Sequence, residues 1–557
     1  ERIITDPPSD EEMEIALNKI EHYNYSQLSK VGGFGGKADL LNHYNVFASD
    51  PEYINTFIKE YERVTSSDVI SSRIKVLNEN QVRLRVEPNA HLVPVELDLD
   101  RTIEPQASEP QTFKPPKHQK RFLSNGIEVV HVKKDGPPLV GCGVLIKTGA
   151  TSDTKELPGL AYFTSMLTRE GTNTRTSAEI YNDLDKLGTS MNIESRREFI
   201  FYSIEVLAKH FNSGLDILSD VIKNPVFPQD EIDRIKSKQL GDLQRSKDEP
   251  NSIADRVFPK LIYGENSGYG HPVTGNEESI KKFTGEDLKA FKNGAFSPDR
   301  SQIIVVGNME FDEVYSICEN YFSDWESDST TRDLTPDDAS ASPLNPVGIY
   351  ICDKPESAQS VIRAGHTIFS RSDGRYYQMN LVNFIFGGQF SSRLNLNLRE
   401  DKGYSYGFHS GVSWYSDSSL LVAGGSVQTD KTTESIVEIL KEFNEIVSDR
   451  SITEEELEDA RNQLLRGYPA GFERLSQIMD NMIQLGVHDL GDDYFERVPE
   501  NLKSVSLEQV RSTATDVIDP TELKILIVGD KQEIIQGLKS LGHPIFEVDS
   551  EGAILSG

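Results

Sequence analysis

An amphipathic helix pattern near the start of the chain recurs twice further along. In Ser9 to Ile20 a capping serine and a first turn of acids precede apolar residues at every third or fourth position, which is the spacing of one helix face. A near copy spans Thr453 to Leu464, and a weaker copy spans Pro228 to Leu240. The pattern therefore predicts three related helices in distant parts of the chain.

A second shared element follows each of these helices. It consists of a capped helix and then a β-rich strand, and its three versions run from VTSSDVI to QVRLRVEP, from FTGEDLK to SQIIVVGN, and from VSLEQVR to LKILIVGD. Helix, helix and strand together occupy about 80 residues, a length and order that indicate an internal repeat.

A further block of strands and helices precedes only the second and third copies. The first of these blocks opens with a hairpin turn at Asn125-Gly126, a dipeptide that favours two-residue turns. The chain thus reads as half a unit followed by two whole units. We predict an α+β protein made of repeated two-layer domains, each with a mostly antiparallel sheet covered by helices.

Two stretches rich in proline and acids, without periodicity, separate the units. Such stretches are typical of linkers between domains. The predicted organisation is a partial domain at 1–95, a linker at 96–118, a whole domain at 119–327, a linker at 328–346 and a last domain at 347–557.

The composition of the 557 residues is that of a globular protein with an acidic surface. With 58 Lys and Arg against 89 Asp and Glu, the net charge is -31, which argues against nucleic acid as a partner because like charges repel. No apolar run is long enough to span a membrane. The first residues contain neither a Met nor a signal-peptide core, so we expect an interior or processed piece of a longer protein.

Cysteine and histidine spacing gives no sign of a metal site. Cys142, Cys318 and Cys352 are scattered among apolar residues and are predicted to be buried thiols. No two of the 11 histidines lie three or four residues apart, the spacing that would place them on one helical face as zinc ligands.

The segment from Phe386 to Gly407 concentrates glycines, two arginines and two tyrosines. Its pattern predicts a helix ending near Arg399, a break at Gly403 and a strand that carries Tyr406. A guanidinium and a phenol there would suit an oxygen-rich ligand. The alternative is an ordinary surface turn in which Arg399 pairs with Glu400 or Asp401.

Tyr404 and His409 are further candidates for binding a peptide at this segment. His409 is expected on the opposite face of the strand from Tyr406, because it is three positions further along and side chains alternate between faces. Two other features favour structural roles. The stretch VGGFGGKAD lacks the first glycine and the hydroxyl of a phosphate loop, and His271 is a lone histidine in a Gly/Pro turn.

The helix PGLAYFTSMLTREGT, Pro158 to Thr172, resembles the zinc helix of the inverted-motif (HxxEH) metallopeptidases, the family of pitrilysin, insulin-degrading enzyme and mitochondrial processing peptidase. The residues that match its frame are Gly159, Leu160, Ala161, Phe163, Leu167, Gly171 and Thr172. The ligand positions differ. Tyr162 stands at the first His, Ser165 at the catalytic Glu, Met166 at the second His, and Asp242 at the distal Glu.

The resemblance implies no metal in this chain, because catalytic zinc requires three protein ligands. It also gives LREDKGYSYG a role. This run resembles a family element in which an Arg and a Tyr, here Arg399 and Tyr406, hydrogen-bond the substrate and the developing oxyanion from the half opposite the zinc. The stretch VGGFGGKADLLNHYN resembles the end of a second domain in four-domain bacterial members.

The implied protein is the C-terminal, non-zinc half of a clamshell-shaped zinc metalloendopeptidase, inactive on its own. Its implied partners are an N-terminal half carrying HxxEH and zinc, in the same precursor or a separate chain, and a peptide or unfolded polypeptide. The alternative is a catalytically inactive scaffold or peptide-binding subunit. Because long bacterial members of the family are often exported, a periplasmic location is the preferred expectation.

Overall fold

The computed structural model describes residues 6–32, 34–76, 113–326 and 345–556. These form two compact units. The first unit holds the described residues up to Lys114 together with Asp185–Thr189, and the second holds Pro115–Leu184 and the described residues from Ser190 on. No helix in the described ranges is long and apolar enough to cross a bilayer.

The first unit consists of helices, namely α1 Asp10–Leu28, α2 Lys37–Ala48, α3 Phe57–Tyr61 and α4 Ser66–Val76. The predicted cap of α1 is present, since the Ser9 hydroxyl accepts the Glu12 N–H at 3.2 Å and the Glu12 carboxylate accepts the Ser9 N–H at 2.9 Å. The glycine-rich stretch lies between α1 and α2, where Gly35 has a φ of 75°. The strand predicted after α4 lies outside the described residues.

The second unit begins with a six-stranded sheet. Its strands are β1 His118–Phe122, β2 Glu128–Lys133, β3 Leu139–Ile146, β4 Met191–Ser195, β5 Ile200–Leu207 and β6 Ser301–Gly307. The helices of this part are α5 Leu160–Leu167, α6 Ser177–Lys186, α7 Phe211–Lys223, α8 Gln229–Ser246, α9 Pro250–Tyr263, α10 Glu277–Lys282, α11 Gly285–Ala295 and α12 Phe311–Phe322.

A seven-stranded sheet follows in the same unit. Its strands are β7 Gly348–Asp353, β8 Gln359–Ile368, β9 Ser405–Ser413, β10 Ser419–Gln428, β11 Lys524–Gly529, β12 Ile545–Val548 and β13 Ile554–Ser556. Its helices are α13 Tyr376–Asn383, α14 Arg393–Asn395, α15 Thr432–Ile446, α16 Glu454–Gly467, α17 Leu475–Val487, α18 Tyr494–Ser504, α19 Leu507–Val517 and α20 Lys531–Lys539.

The two sheets share one five-strand arrangement. The spatial order β2-β6-β3-β5-β4 in the first sheet corresponds to β7-β11-β8-β10-β9 in the second. In each, the first two strands pair in parallel and the remaining neighbours pair antiparallel. The prediction of an α+β fold with mostly antiparallel sheets is therefore confirmed.

Each sheet is covered in part by a helix from the other half of the unit. Helix α9 comes after the first five strands of the first sheet in the chain, but it packs on β8 and β11 of the second sheet. Helix α17 packs in the same way on β3 and β6 of the first sheet. A Cβ added at Gly141 of β3 would lie only 2.7 Å from the Met479 sulfur of α17, so glycine permits this close approach.

Candidate peptide-binding site

The Arg/Tyr segment folds as a helix end that leads into an edge strand. After the short helix α14, residues Leu396–Asp401 form a wide π-helical turn that carries Arg399. Gly403 then adopts a left-handed φ of 65°, a conformation that glycine takes without strain. Strand β9 begins two residues later with Tyr406 in it, so the predicted placement of both side chains is confirmed.

The Arg399 guanidinium lies over two aromatic rings. Its guanidinium carbon lies 4.4 Å from the centre of the Phe390 ring and 5.1 Å from that of Tyr406. The Nε atom lies 3.2 Å from Glu400 Oε1, which is the pairing that the alternative interpretation expected. Neither Nη atom has a hydrogen-bond partner among the described residues, so the forked end of the guanidinium remains available as a donor.

A β-bulge changes the direction of Tyr406 relative to the rest of β9. Phe408 is opposite Gly425 and Ser405 is opposite Val427, so Tyr406 and Gly407 together face a single residue of β10. The Ser405 hydroxyl lies 2.8 Å from the Gly407 carbonyl oxygen and accepts the Gly407 N–H at 3.1 Å. Bulges of this kind redirect side chains.

The expectation that Tyr406 and His409 lie on opposite faces is therefore wrong. The extra residue of the bulge cancels the alternation between them, and both side chains line one cleft. Tyr406 is 89% exposed there, while Phe408 is fully buried. The structure does not bring Tyr404 to this cleft, and its ring instead lies 6.0 Å from the Lys431 ammonium.

The cleft has a volume of about 710 Å³ and lies on one face of the second sheet. Its floor includes Gly407, Gly411, Gly424 and Gly425. A Cβ at Gly411 would meet nothing within 4 Å, so the cleft is open above this strand. The described residues that line the cleft include arginine and histidine but no Asp or Glu, although the whole chain carries a net charge of -31.

Arg363 and Asn251 are cleft residues that the sequence analysis missed. Arg363 donates from Nε to Asp255 Oδ1 at 3.0 Å and from Nη2 to Asn251 Oδ1 at 3.2 Å. A Cβ at Gly424 would lie 2.8 Å from the Arg363 Cδ, so this arginine lies directly across a glycine. The adjacent glycines Gly424 and Gly425 in the sequence of β10 could have indicated a neighbouring side chain here, because glycine within a strand often marks a close approach.

The outer edge of β9 is partly occupied. The Phe408 N–H donates to Asn395 Oδ1 at 3.1 Å, and the Ser410 hydroxyl donates to Asn383 Oδ1 at 2.8 Å. A Cβ at Gly387 would lie 2.4 Å from the Ser410 nitrogen. Because neighbouring residues cover this edge, the surface that remains open beside Arg399 is the face of the sheet.

The positions that the sequence resemblance aligned with a zinc site carry, apart from Asp242, side chains that are not typical zinc ligands. Ser165 is buried and donates its hydroxyl to the Tyr162 carbonyl oxygen at 2.7 Å. Burial raises the pKa of the Tyr162 phenol, and the nearby Asp242 carboxylate raises it further, so the phenol stays protonated. Asp242 itself forms an ion pair with Arg245.

A thioether at Met166, a neutral phenol, a hydroxyl and one paired carboxylate do not match the His, Cys and acidic ligands that zinc takes in proteins. Nowhere in residues 6–32, 34–76, 113–326 and 345–556 do three or more His, Cys, Asp or Glu side chains converge so as to hold a metal ion. The donor set therefore does not fit zinc.

Comparison with known families matches both sheet-containing parts of the chain. Residues 282–464 match the sequence model of the peptidase M16 inactive domain, and residues 128–268 match that of the insulinase family, peptidase family M16. The chain is 28% identical to the uncharacterized zinc protease YmxG of Bacillus subtilis over 400 residues, 71% of this chain and 94% of that protein. It is 26% identical to an uncharacterized zinc protease of Rickettsia felis over 344 residues, 61% and 81% respectively.

Solved structures show the same fold. A peptidase M16 inactive domain from Pseudomonas fluorescens superposes with a TM-score of 0.66 at 22% identity, covering 74% of this chain and 98% of that one. The first half of the periplasmic protease PqqL from Escherichia coli gives a TM-score of 0.62 at 14% identity, covering 76% and 94%.

Proposed function

Because the chain belongs to the M16 family of peptidases, we propose that it is the non-catalytic C-terminal half of a zinc metalloendopeptidase. In this proposal the chain binds the peptide substrate, and the HxxEH zinc site stands on an upstream half or on a partner chain. The observation that carries the proposal is the position of Arg399. Its two Nη atoms have no hydrogen-bond partner among the described residues, and its guanidinium lies over two rings at a cleft that Tyr406 and His409 also line.

The chemistry of the chain's own residues supports a binding role. Tyr406 brings a phenol donor and Arg399 a forked cationic donor to the same cleft, and a peptide carbonyl oxygen accepts from both types of group. As the carbonyl becomes an oxyanion during hydrolysis, donors already in place stabilise it more than the ground state. Zinc, held by the other half, would supply the Lewis acid that polarises this carbonyl.

The side chains at the positions aligned with the zinc ligands support the proposal that a second half binds the metal and this chain binds the peptide. Tyr162, Ser165, Met166 and Asp242 offer one carboxylate, which is paired with Arg245. Three protein ligands are needed for catalytic zinc. The chain can therefore hold and polarise a peptide, while cleavage requires the metal and general base of another half.

Binding by the 557-residue protein tests this function directly. Arg399→Ala is expected to weaken the binding of fluorescein-labelled β-casein peptides about tenfold or more, because a charge-assisted hydrogen bond contributes about 1.5–3 kcal/mol. Tyr406→Phe removes one neutral donor and is expected to cost about two- to tenfold. Fluorescence anisotropy measures both affinities.

Matched controls separate the cleft from general effects. Arg466→Ala removes an exposed arginine that lies outside the cleft, and Tyr404→Phe removes a phenol that the structure places away from it. Both are expected to bind like the unaltered protein. Equal affinity of Arg399→Ala, Tyr406→Phe and the unaltered protein would contradict the proposal.

A catalytically inactive scaffold or peptide-binding subunit is the second candidate. The match of residues 282–464 to a domain described as inactive favours it. An HxxEH sequence upstream in the same reading frame, or in a chain that co-purifies, would decide for the enzyme half. The mass and zinc content of the native polypeptide provide the measurement, and a complete assembly without zinc would support the scaffold.

A further inference from the structure

A second cavity of about 540 Å³ lies where the two sheet-containing parts of the second unit meet. We name it the seam pocket. Its walls come from the β4–β5 turn, from α9, from the β9–β10 hairpin and from the end of α17, and its apolar side chains include Phe199, Phe258, Trp414, Leu420, Val422 and Val487. Both its size and its mixture of aromatic walls with a few polar groups are typical of ligand sites.

The seam pocket continues the Arg399 cleft along the same face of the sheet. Directly opposed residues of an antiparallel pair share a face, and every second pair between β9 and β10 lies on the same face. Three such pairs are His409 with Gly424, Gly411 with Val422, and Ser413 with Leu420. The first two pairs line the cleft, and the third lines the seam pocket. Arg363 and Val422 line both cavities.

The distance between the two cavities suits an extended peptide. Ser413 lies four residues beyond His409, which corresponds to about 14 Å of strand. A peptide that lies along this face in an extended conformation therefore brings a side chain roughly four to six residues from the Arg399 contact over the seam pocket.

The charged groups around the seam pocket are already engaged. Arg363 is held by Asp255 and Asn251 as described above, the Arg197 guanidinium donates to the His271 carbonyl oxygen at 2.8 Å, and Arg196 pairs with Glu194. The apolar and aromatic side chains share the rest of the lining with Ser413 and His488, and the His488 Nδ1 atom has no hydrogen-bond partner among the described residues. The apolar part of this surface favours a large apolar side chain over an anion.

Hydrogen bonds between the two sheet-containing parts of the second unit hold the seam pocket in shape. The Glu198 carboxylate accepts the Ser416 N–H at 2.7 Å and the Tyr269 hydroxyl at 2.7 Å. The Tyr263 hydroxyl donates to the Ser418 carbonyl oxygen at 2.8 Å. Because these bonds tie the β9–β10 turn to the first half, the pocket is formed before a ligand arrives, which lowers the entropic cost of binding.

We propose that the seam pocket is a specificity subsite that takes one large apolar side chain, aromatic by preference, from the peptide bound at Arg399. This inference rests on the proposed peptide-binding function and adds a substrate preference to it. It selects peptides that carry a phenylalanine-like residue several positions from the residue held by Arg399 and Tyr406.

Two fluorescein-labelled 14-residue peptides of Ala, Ser and Thr test the inference, one with a central Phe and the other with Ala in its place. Burial of the Phe ring is expected to make the first peptide bind the unaltered protein about ten- to a hundredfold more tightly. Ser413→Tyr fills the mouth of the pocket on a strand position that accepts tyrosine well. This variant is expected to lose the Phe advantage while binding the Ala peptide as before.

The control is Ser213→Tyr, the same substitution at an exposed position of α7 outside the lining of the pocket; it is expected to keep the Phe advantage. Arg399→Ala is expected to weaken both peptides equally. Equal affinities for the Phe and Ala peptides, or a Phe advantage that survives Ser413→Tyr, would overturn the subsite and leave the proposed function standing. Failure of both peptides to bind the unaltered protein would overturn the function as well.

Discussion

At Arg399 one side chain makes two kinds of contact. Its Nε atom pairs with Glu400, and its guanidinium lies over the rings of Phe390 and Tyr406. Its two terminal nitrogens have no hydrogen-bond partner among the described residues. The ion pair with Glu400 therefore does not prevent the terminal nitrogens of Arg399 from binding a ligand. Stacking on two rings restricts the side chain and lowers the entropy lost on binding.

His131 on β2 should make the stability of the protein sensitive to mild acid. The residue is 1% exposed, and neither ring nitrogen has a hydrogen-bond partner in the part of the chain that the structure describes. Burial lowers the pKa of this imidazole from 6.5 to about 4. Below pH 6.5 the unfolded chain therefore binds a proton that the folded chain does not, so stability is lost as the pH falls from 6.5 towards 4, by at most about 3 kcal/mol.

His131→Leu is expected to flatten this part of the pH profile, as measured by urea unfolding between pH 4 and 7. The control is His543→Leu, which replaces an exposed histidine and should leave the slope unchanged. An unaltered slope in His131→Leu would show that this histidine does not carry the acid sensitivity.

At the scale of elements, local sequence signals predicted most of the helices and strands around the site. Capping residues such as Ser9 and Thr453 mark helix starts that the structure shows, because a cap acts within one turn. The bulge in β9 escaped prediction. It depends on how Ser405 and Phe408 register against β10, and the pattern of one strand does not contain the register of its partner.

Ser405 is expected to hold the bulge that points Tyr406 into the cleft. Ser405→Ala removes the hydroxyl that lies 2.8 Å from the Gly407 and Ser426 carbonyl oxygens. We expect a loss of about 0.5–1.5 kcal/mol in the free energy of unfolding and a several-fold loss of peptide affinity, as Tyr406 no longer has a fixed direction. Thermal unfolding and anisotropy measure the two effects.

Ser405→Thr provides the matched control, because it keeps the hydroxyl and suits a strand. It should restore both stability and peptide affinity. If Ser405→Ala bound the β-casein peptides as tightly as Ser405→Thr, the bulge would not be what orients Tyr406.

At the scale of the whole second unit, the exchange of helices between the two sheets could not be predicted from sequence. The apolar faces of α9 and α17 predict that each helix is buried, but an apolar face does not specify which sheet covers it. In the structure Leu261 of α9 lies in one core cluster with Tyr350 and Leu526 of the second sheet. The same exchange builds the seam pocket, which is why that pocket was also absent from the sequence analysis.

This exchange predicts that the two sheets unfold together. A cavity created in α9 should destabilise both sheets. The helix belongs by sequence to the first sheet-containing part, and its side chains pack in the core of the second. Leu261→Ala, at a side chain that is 1% exposed, is expected to cost about 2–5 kcal/mol. The exposed Ser252 of the same helix supplies the control, Ser252→Ala.

The chain's two tryptophans make this measurable. Trp325 follows α12 in the first sheet-containing part, and Trp414 directly follows β9 in the second. Trp325→Phe and Trp414→Phe each leave a single reporter. With Leu261→Ala added, both single-tryptophan proteins should show the same lowered transition temperature, as expected when each core depends on the other half. A shift confined to the Trp414 reporter would mean that the sheets unfold separately and that the exchanged helices only bridge two independent cores.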